Sequence, residues 1–589
     1  MKGRDTSVMN QAIPGRIAAH RDATESTFAS RWLNPATLLW IGIIAVLLIL
    51  VVLPMYHLVA KSFQTEAGLS LVNYTEIFRV ERFQIAMKNS LFIGFVCAVL
   101  GMVMGAPLAW LVSRTDVPGR NIIRLCVLGA FVTPGFVNAL SWILLAGPNA
   151  GVLNKTWRFL TGSGEALINI FSMEGLVLVS LATVYPLAFL FMYNAFEMMD
   201  TEIEEAAKIC GAGRFRILTT ITIPLAWPAI IAGFILMFLE SLILYGVPAV
   251  IGVPAQVYVV TTQLWSLFEY PPQIGLAAAL SLPLLLITLV LLWLQRKMLS
   301  RGNYATIRGK GGRRHRVPLG HWKWPALGFA FLVILFTFIL PYTMIIGTSL
   351  LRDSWRGFAF DNLTFANFFY VLVEYESGWL SIKNSIITGL AAGGLGVLIA
   401  SVIAYLSERK IVPFGSWLAF LATAPLVIPG MVFAVGLFAA YSQGPIILYG
   451  TLTIIALAYL TKFMPFAFMC CVSSLASIYV ELESAARVLG ASRLRVLRDI
   501  TVPLMKNGIL AGFILIFVPS VKELSSSVLL YNSNTTVIAT AIMDAYLLPS
   551  WEAVAALSVI LLAINAIVIG LGYWILGGNI LGQSRSSGN

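Results

Sequence analysis

Two stretches of the chain carry the same pattern. Residues 202–236 read EIEEAAKICGAGRFRILTTITIPLAWPAIIAGFIL, and residues 481–515 read ELESAARVLGASRLRVLRDITVPLMKNGILAGFIL, at a constant offset of 279 positions. In each copy a polar, helix-forming segment is followed by a strongly apolar stretch. A polar helix that is duplicated between membrane spans favours one role, which is to receive force from a soluble partner.

The composition is that of a polytopic membrane protein. Of 589 residues, 59% are hydrophobic and only 11% are charged, with a mean hydropathy of +0.86, whereas soluble proteins carry about a quarter charged residues. The net charge of +12 is expected from basic residues on the cytoplasmic side of a membrane. We therefore expect a lipid membrane and no nucleic acid as partner. The five cysteines and four histidines lack ligand spacing, so no metal site is predicted.

Twelve apolar stretches are long enough to cross a bilayer as helices, at about 20 residues each. The first is too long for a signal peptide and is read as an uncleaved span. The predicted spans are 37–60, 86–112, 122–146, 175–197, 224–250, 274–295, 323–347, 382–406, 416–441, 446–475, 505–530 and 553–577.

The distribution of Lys and Arg predicts the orientation. With the N-terminus inside, 28 of the 39 basic residues fall in inside segments, nine fall in outside segments, and Lys462 and Lys522 lie within spans. Because basic residues stay on the cytoplasmic side, we expect a multi-pass membrane protein with a defined orientation. Its two termini and both repeated polar helices are then cytoplasmic.

The duplication extends beyond the polar helix. Lys88-Asn89-Ser90 matches Lys383-Asn384-Ser385 at an offset of 295, so the first half carries about 16 extra residues before its fourth span. Six spans per half predict an all-α membrane protein with twelve transmembrane helices in two parallel six-helix repeats. The predicted segments are an N-terminal tail 1–36, a first unit 37–295, a basic linker 296–321, a second unit 322–577 and a C-terminal tail 578–589.

The repeated polar helices are predicted at about 201–211 and 480–490. Thr201 and Glu204 fit a capping box, which the second copy lacks. Gly211 and Gly490 are expected to end the two helices in left-handed turns. Pro224 and Pro503 are expected in the first turn of the next span.

This pattern resembles the "EAA" loop of type I ATP-binding-cassette importer permeases, here as two permease units fused in one chain. The resemblance implies that two copies of a cytoplasmic ATPase dock on the two helices and that a periplasmic or extracellular solute-binding protein delivers the solute. ATP and magnesium would be on the ATPase, because the chain has no phosphate-binding G-x-x-x-x-G-K-[ST] motif. The chain itself is then a transport subunit without an enzymatic activity or a cofactor. The residues implied in ATPase coupling are Glu204, Glu205, Ala206, Ala207 and Gly211, and Glu483, Ser484, Ala485, Ala486 and Gly490.

The second copy departs from the motif. Its glutamate position is Ser484, with Glu483 one residue earlier, which leaves the equal coupling strength of the two halves open.

The fused pair, with YGVPAVIG (245–252) and VKELSSSVLL (521–530), resembles iron(III) importer permeases most closely. Permeases for 2-aminoethylphosphonate, thiamine or a polyamine are the alternatives within this type of importer.

Charged residues inside spans are costly and usually face a cavity or the interior of a helix bundle. We predict Glu240, Tyr245, Lys522 and Glu523 as residues of the translocation pathway. The alternative role is a buried ion pair that holds the halves together. Lys462, close to Pro465, is predicted to be structural.

A secondary transporter is an alternative from a different class of function. A secondary transporter with six-plus-six repeats finds faint support in SRTDVPGRNIIR (113–124), but SERKIVPFGS (407–416) does not keep that pattern. It also leaves the paired polar helices without a role. A membrane-embedded enzyme ranks last, because paired Asp or His motifs and a nucleophilic Ser motif are absent from the spans.

Overall fold

The computed structural model describes residues 35–65, 68–199, 202–300, 316–412, 414–548 and 550–575. Its regular structure is helical apart from one hairpin of β1 (Gln64–Thr65) and β2 (Gly68–Leu69). Ten helices are long and apolar enough to cross a membrane, or twelve if each of two bent helix pairs is one span. The predicted all-α membrane fold is confirmed. Most of the predicted N-terminal tail, the whole predicted C-terminal tail, most of the linker, and Thr201 of the predicted capping box lie outside the described residues.

The helices follow the predicted duplication. In the first half they are α1 (Leu39–Ser62), α2 (Val72–Arg79), α3 (Glu81–Arg114), α4 (Arg120–Val132), α5 (Gly135–Ala146), α6 (Val152–Thr161), α7 (Met173–Met198), α8 (Glu202–Ile209), α9 (Phe215–Ile243), α10 (Val260–Ser266) and α11 (Ile274–Ser300). In the second half they are α12 (Gly320–Ser349), α13 (Ala366–Phe369), α14 (Glu376–Glu408), α15 (Gly415–Val427), α16 (Gly430–Tyr441), α17 (Leu452–Ala476), α18 (Val480–Val488), α19 (Arg493–Val521), α20 (Ser527–Leu530), α21 (Ile538–Leu547) and α22 (Trp551–Ile575).

Short turns of other helix types interrupt or join these elements. The π-helical turns are Leu48–Val52, Leu218–Thr222, Pro248–Gly252, Leu335–Ile339, Tyr370–Glu374 and Leu497–Thr501, and two 3-10 turns outside the spans are Ser354–Arg356 and Phe360–Asn362.

Each half has a core of three mutually packed helices, α3, α7 and α9 in the first and α14, α17 and α19 in the second. Small residues let these helices approach closely, as is common in membranes. A Cβ at Gly105 of α3, for example, would overlap the Cβ of Ala188 on α7.

The predicted third and ninth spans, 122–146 and 416–441, are not straight. The first is bent by 103° between α4 and α5, and the second by 110° between α15 and α16. Both bends lie at a Pro-Gly pair, Pro134-Gly135 and Pro429-Gly430. Proline lacks a backbone N–H and disfavours a helical conformation of the residue before it, so the helix stops and a new one starts. A count of apolar residues does not detect such a break.

The fifth span of each half starts and ends earlier than predicted. The predictions 224–250 and 505–530 correspond to α9 and α19, which begin at Phe215 and Arg493. The prediction that Pro224 and Pro503 lie in the first turn holds for the α-helical part of each span, because each proline is at the first or second position of the segments Ile223–Ile243 and Val502–Val521. A π-helical turn precedes each of these segments, so the whole span begins earlier than its proline.

The first span of each half packs on the other half. Helix α1 contacts α11 and the second half's α16, whereas α12 contacts α22 and the first half's α5. The Tyr441 hydroxyl donates to the Ile49 carbonyl at 3.1 Å, and the Tyr342 and Thr133 hydroxyls are 2.7 Å apart. The two halves are thereby interlocked.

The serines of the matched Asn-Ser pairs attach α3 to α10 and α14 to α21 in the same way. The Val260 N–H donates to Ser90 Oγ at 2.9 Å, and the Ile538 N–H donates to Ser385 Oγ at 2.8 Å. In both halves the serine binds the first N–H of a short helix, α10 or α21, that has no partner within its own helix.

The end of the linker is attached to the first half. The Val317 N–H donates to the Arg114 carbonyl, and the Leu319 N–H donates to Asp116 Oδ1, each at 2.9 Å. Lys323 Nζ lies 3.0 Å from Asp116 Oδ2. The Leu319 N–H, together with the Lys323 ammonium, lowers the pKa of Asp116. This contact fixes the start of α12 beside the end of α3.

Replacing Ser385 with alanine should destabilise the protein by about 1–3 kcal/mol, because the buried Ile538 N–H loses its acceptor. Thermal unfolding in detergent measures the effect. Ser558→Ala is the matched control, since this equally buried hydroxyl donates only to the Val554 carbonyl of its own helix. Equal melting temperatures for the two variants would contradict the assignment.

Candidate functional sites

The polar helices α8 and α18 end as predicted. Gly211 and Gly490 have φ values of +83° and +88°. The Ala212 N–H donates to the Ala207 carbonyl at 2.9 Å, and the Ala491 N–H donates to the Ala486 carbonyl at 3.0 Å. These bonds are the 6→1 bonds of a Schellman motif, which needs a left-handed residue. The prediction for both glycines is confirmed.

A buried ion pair holds α8 on the membrane helices. Arg114 at the end of α3 lies 2.8 Å from Glu204 Oε2, with side chains only 6% and 12% exposed. The Thr222 hydroxyl donates to Glu204 Oε1 at 2.9 Å, and the Arg114 guanidinium donates to the Met199 carbonyl at 3.2 Å. Both carboxylate oxygens of Glu204 are therefore occupied within the chain.

The second half repeats this anchor. Arg409 at the end of α14 lies 3.0 Å from Glu483 Oε1, and the Thr501 hydroxyl donates to the same oxygen at 3.3 Å. Arg409 also donates to the Ile478 carbonyl at 3.0 Å. Glu204 and Glu483 are thus equivalent residues, and each attaches its own polar helix to the membrane helices through a buried ion pair.

The position where the sequence departs from the motif lies outside this anchor. Glu205 is half-buried, and its counterpart Ser484 is exposed and donates to the Val480 carbonyl. The two anchors are therefore alike even though the next residue differs. Ala206 and Ala485 are exposed, and Ala207 and Ala486 are half-buried.

Beyond the anchors, each polar helix exposes large apolar side chains. Ile209 is 88% exposed and its counterpart Val488 is 87% exposed. Phe215 and Leu494, which also match at the repeat offset, are exposed as well. Contiguous exposed apolar surface on a polar segment is typical of an interaction site. The structure presents one such surface per half, at equivalent positions.

The charged residues near the fifth spans form a second candidate site. Lys462 Nζ lies 2.9 Å from Glu523 Oε1, with side chains 18% and 11% exposed. The Ser526 N–H donates to Glu523 Oε1 at 3.0 Å, and its hydroxyl donates to the Gly430 carbonyl at 3.2 Å. A Cβ at Gly430 would overlap Lys462 Nζ. The ion pair thus sits against the bend between α15 and α16.

The four predicted pathway residues occupy different environments. Lys522 is half-buried and donates to carbonyls of the first half, Tyr245 is buried, and Glu523 is in the ion pair with Lys462. Glu240 on α9 has an exposed side chain and interacts electrostatically with Lys462, Lys522 and Glu523. Lys522, Glu523 and Tyr245 follow the ends of α19 and α9 and do not lie within the helices.

The first half has no such charges at its bend. The positions that match Lys462, Glu523 and Ser526 are Thr183, Leu244 and Val247, and these three side chains surround the Cβ position of Gly135. The ion pair at the bend therefore belongs to the second half, and the first half contributes Glu240 to the same group of charges.

The partners of these residues were not predicted from the sequence. Arg114 and Arg409 repeat at the offset of 295, and Thr222 and Thr501 repeat at the offset of 279, so the duplication itself could have identified the anchors. The pairing of Lys462 with Glu523 has no such signal. Among the described residues, His, Cys, Asp and Glu form no group of three that could hold a metal ion.

The binding-protein-dependent transport system inner membrane component family matches residues 98–301 and 392–576. The chain belongs to this family. Both matches together cover most of both halves, and the chain is therefore a multi-pass inner-membrane transport component with two copies of the family domain.

Several relatives match most of the chain. The ferric transport system permease protein FbpB of Actinobacillus pleuropneumoniae is 24% identical over 506 residues, which is 85% of this chain and 72% of that protein. The putative ferric transport system permease protein FbpB 1 of Haemophilus influenzae is 25% identical over 77% of this chain and 71% of its own length.

Other matches cover one half. A putative 2-aminoethylphosphonate transport system permease protein, PhnV of Salmonella paratyphi A, is 30% identical over 39% of this chain and 86% of its own length. The crystal structure of a bacterial ABC transporter that imports alginate aligns with 49% of this chain and 99% of its own, at 19% identity and a TM-score of 0.39.

Replacing Arg409 with methionine should destabilise the protein by about 3–5 kcal/mol, because the buried Glu483 carboxylate loses its partner. Thermal unfolding and limited proteolysis at α18 measure this. The double variant Arg409→Met/Glu483→Leu should recover most of the loss, since no charge is then left unpaired. Arg356→Met, in an ion pair with Asp361 that is more than half exposed, is the control and should change little. A loss of stability as large in the control would contradict the anchor.

Proposed function

We propose that the chain is the permease of an ATP-driven importer for iron(III). Two copies of a cytoplasmic ATPase dock on α8 and α18, and a solute-binding protein delivers the solute on the opposite side of the membrane. The observation that carries the proposal is the pair of equivalent apolar surfaces around Ile209 and Val488, each fixed to the membrane helices by a buried Arg–Glu pair. A rigid attachment of this kind transmits a conformational change of the soluble ATPase to the membrane-spanning helices.

The orientation follows from charge. The segments on the side of α8 and α18 carry most of the Lys and Arg residues, and such residues stay in the cytoplasm. The proposed ATPase site is therefore cytoplasmic, as are both termini. Glu204 and Glu483 hold the docking helices in place, while Glu205, Ser484, both Ala-Ala pairs, Gly211 and Gly490 shape their docking surfaces.

The substrate is inferred from the relatives. Two relatives that match most of the chain are named ferric transport permeases. Iron(III) is a hard cation that prefers oxygen ligands. We assign Glu240, Tyr245, Lys522 and Glu523 to the pathway, with Glu240 as the residue whose carboxylate contacts the passing ion. The similarity of one half to a 2-aminoethylphosphonate permease supports that solute as the second candidate.

The substrate test is uptake of radioactive iron(III) by cells that express the chain with its ATPase and binding protein and lack other iron(III) importers. Uptake should depend on all three components and should be unaffected by an excess of 2-aminoethylphosphonate. Competition by the phosphonate, without iron uptake, would establish the alternative. Transport that persists without the ATPase would overturn the importer proposal.

Replacing Ile209 or Val488 with glutamate should reduce the amount of ATPase that co-purifies with the chain, because a charge then enters an apolar interface. Membrane insertion should be normal. Leu547→Glu, at an exposed apolar residue outside both docking surfaces, is the control for an added surface charge. Unchanged co-purification with both α8 and α18 variants would exclude these surfaces as ATPase sites.

Glu240→Gln should lower iron(III) uptake without lowering ATPase co-purification. The amide keeps the size of the side chain but removes the charge that attracts a cation. Uptake at the level of the unchanged chain would remove Glu240 from the pathway.

A further inference from the structure

We infer that Lys522 and Glu523 form a joint that ties α19 to both Pro-Gly bends, so that the second half moves both bends together. This inference rests on the proposed function, since it assigns the route by which force from the ATPase on α18 reaches the far ends of the spans. The two residues are consecutive at the end of α19, and each reaches a different bend. For brevity, this pair is called the Lys-Glu joint.

Glu523 holds the bend of the second half. Its carboxylate is 2.9 Å from Lys462 Nζ and accepts the Ser526 N–H at 3.0 Å. Lys462 occupies the space where a Cβ of Gly430 would be, and the Ser526 hydroxyl donates to the Gly430 carbonyl. The first residue of α16 thus lies against the ion pair and is hydrogen-bonded to Ser526, so we expect it to move with the end of α19.

Lys522 holds the bend of the first half. Its Nζ lies 3.0 Å from the Phe131 carbonyl and 3.4 Å from the Val132 carbonyl. Both belong to the last turn of α4, immediately before Thr133 and the Pro134-Gly135 break. The last carbonyls of a helix lack partners within it and attract a cation. Lys522 is therefore placed to bind the end of α4 across the boundary between the halves.

Helix α19 connects this joint to α18. It is continuous from Arg493 to Val521, starts directly after the turn that ends α18, and is linked to Glu483 through Thr501. A displacement of α18 by the ATPase must therefore move the start of α19. Since a helix is stiff along its axis, the Lys-Glu joint moves with it.

Helix α9 has no equivalent joint. The positions that match Lys522 and Glu523 are Ile243 and Leu244. Leu244 packs on Gly135, but an apolar contact lets surfaces slide more readily than charged bonds of fixed geometry. The charges thus bind the end of α19 to both bends, whereas Leu244 at the end of α9 contacts the first bend through apolar packing.

The experiment measures distances between spin labels in the chain assembled with its ATPase. Labels are placed at exposed positions on α4 (Leu125), α15 (Phe420) and α19 (Leu515) in a cysteine-free variant that retains uptake. Distances from α19 to α4 and from α19 to α15 are compared between the nucleotide-free and the vanadate-trapped complex. In the chain with an unchanged Lys-Glu joint, both distances should be the same in the two states.

Two variants separate the arms of the joint. Lys522→Met should let the α4–α19 distance change on trapping while the α15–α19 distance stays constant, and Glu523→Gln should do the reverse. Each should reduce uptake about tenfold or more, the effect expected for one charge-assisted hydrogen bond. Lys522→Arg keeps the donor and should leave both distances as they are in the unchanged chain. Ile243→Met is the matched control in the first half and should alter neither distance.

The inference would be overturned if the distances changed on trapping in the unchanged chain as much as in the variants. It would also be overturned if each variant altered both distances alike. A simple loss of stability is recognised because it would not separate the two distances. A failure of the ATPase to bind or to trap nucleotide would contradict the proposed function instead, so the two failures are distinguishable.

Discussion

The structure depends on one interaction that occurs twice, the buried pair of an arginine at the end of α3 or α14 with a glutamate of the polar helix. A buried charge without a partner is strongly unfavourable, so each pair fixes the position of its polar helix relative to the spans. The threonine that binds the same carboxylate belongs to the start of the next long helix. Three elements of each half therefore meet at one carboxylate. When a polar helix attached in this way is displaced, the membrane-spanning helices bound to it are displaced as well.

The two halves share this anchor but differ at their bends. Both contain a Pro-Gly break in the third span, where the lost backbone bond must be compensated. The first half surrounds its break with Thr183, Leu244 and Val247, and the second half surrounds its break with Lys462, Glu523 and Ser526. A duplicated chain in a single polypeptide can diverge in this way, because each half always meets the same partner. The asymmetry is therefore a property that a homodimer of one half could not have.

Much of this architecture could be predicted from the sequence, because hydrophobic length and a repeated motif are local signals. The number of spans, the left-handed turns at Gly211 and Gly490, and the family followed from them. The bends at Pro134 and Pro429 were not predicted, since a window of apolar residues reads the same whether a span is straight or broken. Likewise, the starts of α9 and α19 were misplaced because a proline after a π-helical turn resembles a proline at a helix start.

The contacts of the charged residues could be predicted least. Lys462 and Glu523 are distant in the sequence and their positions do not match within the repeat, so only the packing of α17 against the end of α19 brings them together. Arg114 and Arg409 are different, because their equivalence is visible in the offset that relates the Asn-Ser pairs. Their role as anchors became clear only with Glu204 and Glu483 beside them.

The packing of each half's first span on the other half has a consequence for biosynthesis. Helix α1 packs on α16, which the ribosome makes only after nearly four hundred further residues. At a synthesis rate of roughly 5–20 residues per second, α1 waits for tens of seconds in the bilayer with that face covered only by lipid. Helix α12, in contrast, is synthesised after α4 and α5. Its start can therefore bind Asp116 as soon as it is made. The nascent protein thus has an early period with one unpaired surface, during which a membrane insertase or chaperone has the opportunity to shield it.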